Sequence, residues 1–383
     1  MKIAFFSDGI QPFVVGGIQR HSYYFCKFMS NLGVKIDLYH TTFDGRKPDL
    51  STVFSSEELE NINDYYIPFP KQGKLPGHYV RESYKLSKLI FEKFISNGSK
   101  VDFVYSKNYS SWYYIEQKMK GSILPPVGVM LHGYEAYQIN RRSLVARKNV
   151  FFHKKPTDFN TLHADYVFSY GGKISDIIRK IGTDPSKIID ITSGIDEDWI
   201  DTNPKTSSSD TISFAFVGRY TPRKGIHHIY HWVNNNLNRK FQIQFVGPIP
   251  EEDQIKHDQL IYHGKVTDSS RLQQILSTAD VLLCPSRAEG MPNVILEGMA
   301  RGCAILATDV GAVEALVDDS NGWLIPPFDQ TAFDDTMDKI MKIERNVISS
   351  KGARSIEKIR NSLTWDQIAK QTLEAIEEIV SKS

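Results

Sequence analysis

The chain has 383 residues, more than one typical domain, so two domains are expected. At 41% hydrophobic and 24% charged residues it is globular in composition, with apolar material for two cores, which sets it apart from disordered chains. A net charge of +1 points to no nucleic-acid partner, and no run of about 18 apolar residues is there to span a membrane.

The opening MKIAFFSDG has one Lys and too short an apolar run for a signal peptide, so it reads as a first strand, Lys2–Ser7. Further strands are predicted at Lys35–His40, Asp102–Tyr105, Val127–His132, Tyr166–Ser169 and Ile188–Ile191. Amphipathic stretches alternate with them, including Ile18–Leu32, where Tyr24, Phe25, Phe28 and Leu32 recur at helical spacing, and Tyr79–Ile95. The polar DTNPKTSSSD of Asp201–Asp210 reads as a linker. The alternation then restarts at Ser213–Val217, Phe241–Val246, Leu260–Tyr262, Val281–Cys284 and Ala304–Ala307. The fold class is therefore α/β: two doubly wound Rossmann-like domains, 1–200 and 206–363, facing across a cleft at the carboxyl ends of their strands. The tail ends in a helix over 364–381, which Thr364 and Gln367 can cap as a box. Residues 1–200 carry 26 basic and 21 acidic side chains, and residues 201–383 carry 20 and 24. The halves are thus mildly opposite in charge. Cys26, Cys284 and Cys303 are far apart, match no metal spacing and read as buried free thiols, which suits a cytosolic protein.

Four segments at predicted strand ends carry chemistry. In SDGIQPFVVGGIQ, Gly16 and Gly17 precede a helix, and paired glycines let backbone approach a ligand; taken alone the pair is also an ordinary turn. In MLHGYE, His132 can hydrogen-bond a sugar hydroxyl or serve structurally. In FAFVGRYTPRKG, Arg219 and Lys224 flank a Gly turn and can neutralise a diphosphate; a basic loop is otherwise a solvated one. In PSRAEGMPNVILEGMARG, a helix is predicted from Asn293 to Gly302, so free amides and a positive helix end face a phosphate. Glu297 lies one turn inside, where a carboxylate can accept from two ribose hydroxyls, and Glu289 sits in the entry turn. Both are also what a helix start favours. The glycine fingerprint of dinucleotide folds is absent, which argues against a nicotinamide site.

Taken together, EGMPNVILEGMARG with Glu289 and Glu297 eight apart, the GRYTPRKG loop, the GG after the first strand, HGYE and ILATDVGAVEALVDDSNGWLIPP resemble the retaining glycosyltransferases of family 4, which have the GT-B fold. One departure is Ser193, which stands where that family commonly has Asn before Gly194. The resemblance implies that Arg219 and Lys224 hold the donor diphosphate, Glu297 the ribose, and Glu289 a hydroxyl of the transferred sugar. It implies that amides of Gly290, Met291, Asn293, Val294 and Ile295 line the sugar–phosphate site, and that Lys265 and Val266 border the base. Gly16 and Gly17 would lie against the phosphate, His132 by the anomeric centre, and the last helix on the first domain. His132, Glu289, Arg219 and Lys224 are the expected catalytic set. The donor is expected to be a UDP- or GDP-sugar and the acceptor a glycan, a glycolipid or a lipid-linked sugar, with no cofactor and no metal. Asp196-Glu197-Asp198 has the form of a metal-binding Asp-x-Asp motif but reads as helix-start acids. A 2-epimerase of the same fold, or an inactive sugar-binding module, is the alternative.

The stretch Lys85–Lys155 holds thirteen Lys or Arg and four Asp or Glu. Its segment Asn140–Lys155, with six cations and no acid, and the aromatics Tyr109, Trp112, Tyr113 and Tyr114 have the composition of a surface for an anionic membrane. A peripheral cytoplasmic enzyme is one expectation; a soluble basic face, with the aromatics filling the first core, is another, and a basic groove for an anionic soluble acceptor is a third.

Overall fold

The structure, a computed structural model, describes residues 1–70, 73, 77–138, 144–201 and 211–382. It divides into two compact units, one of Met1–Thr192 with Trp365–Ser383, the other of Ser193–Thr364. Of the expected linker Asp201–Asp210, all but Asp201 lies outside the described residues. The division comes before the boundary at 200 expected from sequence. Its physical cause is local: Ile195 bridges to Thr364 and its N–H donates to Leu363 O, so the chain is already paired inside the second unit at SGID.

The first unit holds seven strands: β1 (Lys2–Phe6), β2 (Lys35–His40), β3 (Ile62–Tyr66), β4 (Phe103–Lys107), β5 (Val127–Met130), β6 (Tyr166–Ser169) and β7 (Ile188–Asp190). They pair in the order β3-β2-β1-β4-β5-β6-β7, every pairing parallel. The second unit holds β8 (Ile212–Val217), β9 (Phe241–Val246), β10 (Leu260–Tyr262), β11 (Val281–Cys284), β12 (Ala304–Thr308) and β13 (Gly322–Ile325), in the order β10-β9-β8-β11-β12-β13, again all parallel. Both are doubly wound sheets, whose direction of winding reverses between β1 and β4 and between β8 and β11. Central strands such as VLLC and AILAT are buried along their whole length, as strands covered on both faces must be.

Two edge strands escape the sequence patterns. The sequence of β3, INDYY, is polar and only partly buried, so it lacks an apolar run. The strand β13 begins at Gly322, where a Cβ would lie 2.2 Å from Ile305 O; the close approach to β12 requires the residue that otherwise signals a turn. The final helix, Trp365–Ser381, belongs to the first unit and packs on the helix Gly17–Asn31, with Trp365 stacked on Tyr24 at 5.3 Å. All three cysteines are free and buried.

The basic segment Asn140–Lys155 lies partly outside the described residues; from Leu144 it is part of a helix, Leu144–His163. The aromatics offered with it as membrane anchors are not a surface cluster. Tyr114 is fully buried, Tyr109 nearly so with its hydroxyl 2.9 Å from Thr157 Oγ1, and Trp112 packs edge-on to Tyr84. Tyr109 and Tyr114 are part of the first core, and Trp112 and Tyr113 are half-buried. No helix among the described residues is long and apolar enough to cross a membrane.

Candidate active site

In the second unit the loops after β8, β9, β10 and β11 leave the same edge of the sheet, because all four strands run parallel. Glycines let these loops touch. At Gly225, φ is 72°, and a Cβ would fall 1.8 Å from Pro285 O. No side-chain residue fits there, so the loop carrying Arg219 and Lys224 lies directly on the loop carrying Glu289. The contact is fastened by Arg287 N–H donating to Arg223 O at 2.7 Å. On the other side a Cβ on Gly247 would meet Gly218 O at 1.9 Å, and Gly247 N–H donates to Gly264 O. Lys265, exposed, and Val266, half-buried, follow directly.

The structure brings Lys224 and Glu289 together: Nζ donates to Oε1 at 2.5 Å, with both side chains largely shielded. From sequence they have separate tasks. An ion pair in so little water is strong only if its geometry is held, and here two packed loops hold it. Glu289 is held from behind by Gly311, whose φ is 59° and whose Cβ would lie 2.3 Å from Glu289 O. Arg219, at the start of the turn, is exposed.

The helix after this loop runs Asn293–Ala300, with Pro292 before it and no side-chain cap. Its first amides therefore lack a side-chain partner at the positive end of the helix dipole. One expected donor is already engaged: Ile295 N–H donates to Pro292 O at 3.0 Å, which leaves Asn293 and Val294. Met291 is buried, and its Sδ accepts from Ser193 N–H at 3.1 Å, so the SGID segment is fixed to the same loop through the Met291 side chain. Glu297 is buried one turn into the helix. Beside the loop, Arg287 Nη2 lies 2.6 Å from His227 Nε2. Burial, then neighbouring His228 and Arg287, push the His227 imidazole down to about 4, so it is neutral at pH 7. The Asp196-Glu197-Asp198 run forms a short turn in which Asp196 Oδ1 accepts from Asp198 N–H, as expected of a cap.

In the first unit, Gly16 is extended and precedes the helix Gly17–Asn31, which also starts without a side-chain cap. His132 follows β5, and its Nδ1 is 2.5 Å from Tyr170 Oη. Its Nε2 is buried with no hydrogen-bond partner among the described residues. Three groups around it were missed by sequence reasoning. Lys107, fully buried at the end of β4, has Nζ 2.9 Å from His21 Nδ1 and donates to Met130 Sδ at 3.0 Å. The His21 ring stands edge-on to both His132, at 5.1 Å, and Trp365, at 4.8 Å. Burial pushes the Lys107 ammonium well below its ordinary value; burial and then Lys107 do the same to His21 and His132. The signal that could have found Lys107 is a lysine closing the apolar run FVYSK.

Residues 15–199 match the family model described as Glycosyltransferase Family 4, and residues 211–342 that described as Glycosyl transferases group 1. The chain belongs to the family 4, group 1 glycosyltransferases. Among curated family relatives, the alpha-maltose-1-phosphate synthase of Mycolicibacterium smegmatis is 24% identical over 53% of this chain and 60% of its own. The chain spans about half the length of several such relatives. Solved structures share the fold end to end. Sucrose-phosphate synthase from Thermosynechococcus elongatus superposes with a TM-score of 0.78 at 18% identity, covering 100% of both chains. Anabaena HepE in complex with UDP and glucose superposes with a TM-score of 0.67 at 16% identity, covering 99% of this chain and 100% of its own. The two sheets of seven and six parallel strands are thus those of a GT-B glycosyltransferase.

Proposed function

We propose that this glycosyltransferase moves a hexosyl group from a nucleotide-diphosphate sugar to a carbohydrate acceptor, with retention and without a metal. The observation that carries the reading is the cluster at the β8/β11 reversal: Arg219, Lys224 and an uncapped helix start on loops locked together by Gly225. Such a constellation suits two adjacent phosphates. A carboxylate one turn inside the helix, Glu297, suits the ribose hydroxyls. The HepE structure with UDP and glucose supports a UDP-sugar; GDP-sugars fit the same chemistry.

In this reading the anomeric C–O bond breaks as negative charge grows on the leaving diphosphate. Preorganised cations and amides stabilise that charge without having to reorganise. The acceptor hydroxyl adds from the same face, and its proton passes to the departing phosphate oxygen. His132, held neutral by burial, has an Nε2 with no hydrogen-bond partner among the described residues, which suits a sugar hydroxyl. Glu289, fixed by Lys224, bonds a hydroxyl of the transferred sugar.

The test is a thermal-shift and titration screen of the whole chain with UDP-, GDP- and ADP-sugars, followed by product analysis. One nucleotide class is expected to stabilise the protein and to turn over. If none binds at millimolar concentration, the reading is wrong.

A further inference from the structure

A second hollow lies at the carboxyl edge of the first sheet, lined by residues that no role above uses. It gathers the loops after β1 (Asp8), β2 (Phe43), β3 (Phe69) and β4 (Asn108, Tyr109) against Tyr79 of the helix His78–Asn97. Its mouth is aromatic. Phe43 is 46% exposed and Tyr79 38%, and the Phe43 and Phe69 rings meet edge-on at 4.9 Å. Large aromatic faces left in water at a hollow commonly mark a ligand site.

The floor is polar and fixed. Asp8 is buried; its Oδ2 accepts from Asn108 Nδ2 at 2.7 Å and its Oδ1 from Gln19 Nε2 at 3.2 Å. Asn108 takes a left-handed backbone, φ 50°, and its N–H donates to Met130 O, which ties the floor to the strand that leads to His132. A carboxylate has about four acceptor positions. Asn108, Gln19 and the backbone N–H of Asp8 itself use three, so Asp8 can still take one hydroxyl proton. The enclosed space is about 10 Å³, room for one hydroxyl-sized group, so a ring must lie across the aromatic mouth rather than inside.

We propose that this hollow is the acceptor's sugar subsite, taking an uncharged pyranose whose apolar face rests on Phe43 and Tyr79 and one of whose hydroxyls reaches Asp8 and Asn108. The proposal rests on the glycosyltransferase reading for the word acceptor, but the pocket stands on its own geometry. An anionic sugar, whether a uronate or a sugar phosphate, is disfavoured: none of the residues that line the hollow is a cation, and the nearby Lys107 amine is turned to His21 and Met130 rather than to the hollow. The floor joins through Asn108 to β4 and β5, whose ends carry Lys107 and precede His132, so a bound hydroxyl lies along the edge where the first unit's polar cluster stands.

The test is saturation-transfer NMR on the full chain with methyl glycosides of glucose, galactose and mannose, against glucuronate and glucose 6-phosphate. At least one neutral glycoside should bind through its ring protons. Phe43→Ala and Asp8→Asn should each weaken it about tenfold, the size of one stacking or charge-assisted contact. Phe43 is half-exposed, so its variant keeps the test intact if Asp8→Asn folds poorly. Tighter binding of the anions, no binding of any neutral glycoside, or full affinity in both variants overturns the proposal. Nucleotide titration of the same variants separates the two readings. Unchanged nucleotide affinity with lost glycoside binding supports the subsite; a wild type that binds glycoside but no nucleotide defeats the donor reading alone.

Discussion

The two sheets wind in the same order, yet the crevices at their reversals are built from opposite chemistry. Between β8 and β11 stand exposed Arg219, the Lys224–Glu289 ion pair and a bare helix start, on loops pressed together at Gly225. Beside β1 and β4 stand Lys107, His21 and His132, buried, with no carboxylate in hydrogen-bonding distance of Lys107 among the described residues. Topology decides where a ligand can sit; side chains on the loops decide what it is. In the reading proposed here, the second unit takes fixed negative charge. In the same reading the first takes neutral hydroxyls, which need partners but no counter-charge.

The sharpest way to break that contrast is to remove charge from the second unit. Lys224→Ala and Arg219→Ala should each slow transfer about 10²-fold or more, by analogy with the loss of one preorganised donor. Neither should unfold the protein, since Arg219 is exposed and Lys224 holds no core. Steady-state kinetics with circular dichroism checks this. Wild-type rates in both variants would remove the diphosphate assignment.

A smaller effect should divide the two carboxylates. Glu297→Ala is expected to weaken nucleoside diphosphate binding about tenfold, the value of a bidentate charge-assisted contact. Glu289→Ala should leave that affinity close to wild type and lower turnover, because it removes a sugar contact and the clamp on Lys224. Calorimetric titration of UDP and GDP into each variant decides it. Lost affinity in Glu289→Ala with none lost in Glu297→Ala would reverse the roles.

Most of the second unit could be read from its residues, because its site is carried by contiguous segments: strand, Gly turn, helix. The long apolar strands were equally plain, whereas polar β3 and Gly-led β13 were not. Long-range pairing was invisible. Lys224 and Glu289 are 65 positions apart, and nothing local in either segment signals that they meet. The first unit's cluster was hidden for the same reason: His21, Lys107, His132 and Trp365 come from four distant segments. The aromatics near 109–114 left a membrane surface and a core both open, because composition alone cannot separate a buried ring from an exposed one. Tyr109 and Tyr114 are core.

The first unit's buried cluster has a signature in stability. Lys107 is depressed by burial, so below about pH 10.4 the unfolded chain holds a proton on this side chain that the folded chain tends to lack. Unfolding then takes up protons, and this group's contribution makes stability rise with pH towards 10.4. His21 and His132 act alike below about pH 6.5, where falling pH costs stability. Lys107→Met should relieve the first contribution. We expect it to raise the unfolding midpoint at pH 7 by about 2–4 °C, corresponding to about 1 kcal/mol for a unit of this size. The gain should shrink towards pH 10. Calorimetry across pH 6–10 tests the sign: a variant that is less stable at every pH would mean that Lys107 is charged and paired in the fold.

The smallest expected effect is that of removing divalent metal, which should leave the rate unchanged. A diphosphate leaving group needs positive charge, and the second unit already offers Arg219, Lys224 and the amides of Asn293 and Val294. The one motif that resembles a metal site, Asp196-Glu197-Asp198, spends its first carboxylate on the N–H of Asp198 as the cap of a turn. Its first carboxylate belongs to the SGID segment, which meets the Glu289 loop through Ser193 N–H and Met291 Sδ. Rates measured in EDTA and in added Mg²⁺ or Mn²⁺ should therefore coincide. Complete loss in EDTA, restored by Mg²⁺ or Mn²⁺, would mean that an ion carries the charge otherwise supplied by Lys224 and Arg219. In that case the Lys224→Ala variant should be rescued in part by the same ion, which would recast the Lys224–Glu289 pair as a device for placing the sugar.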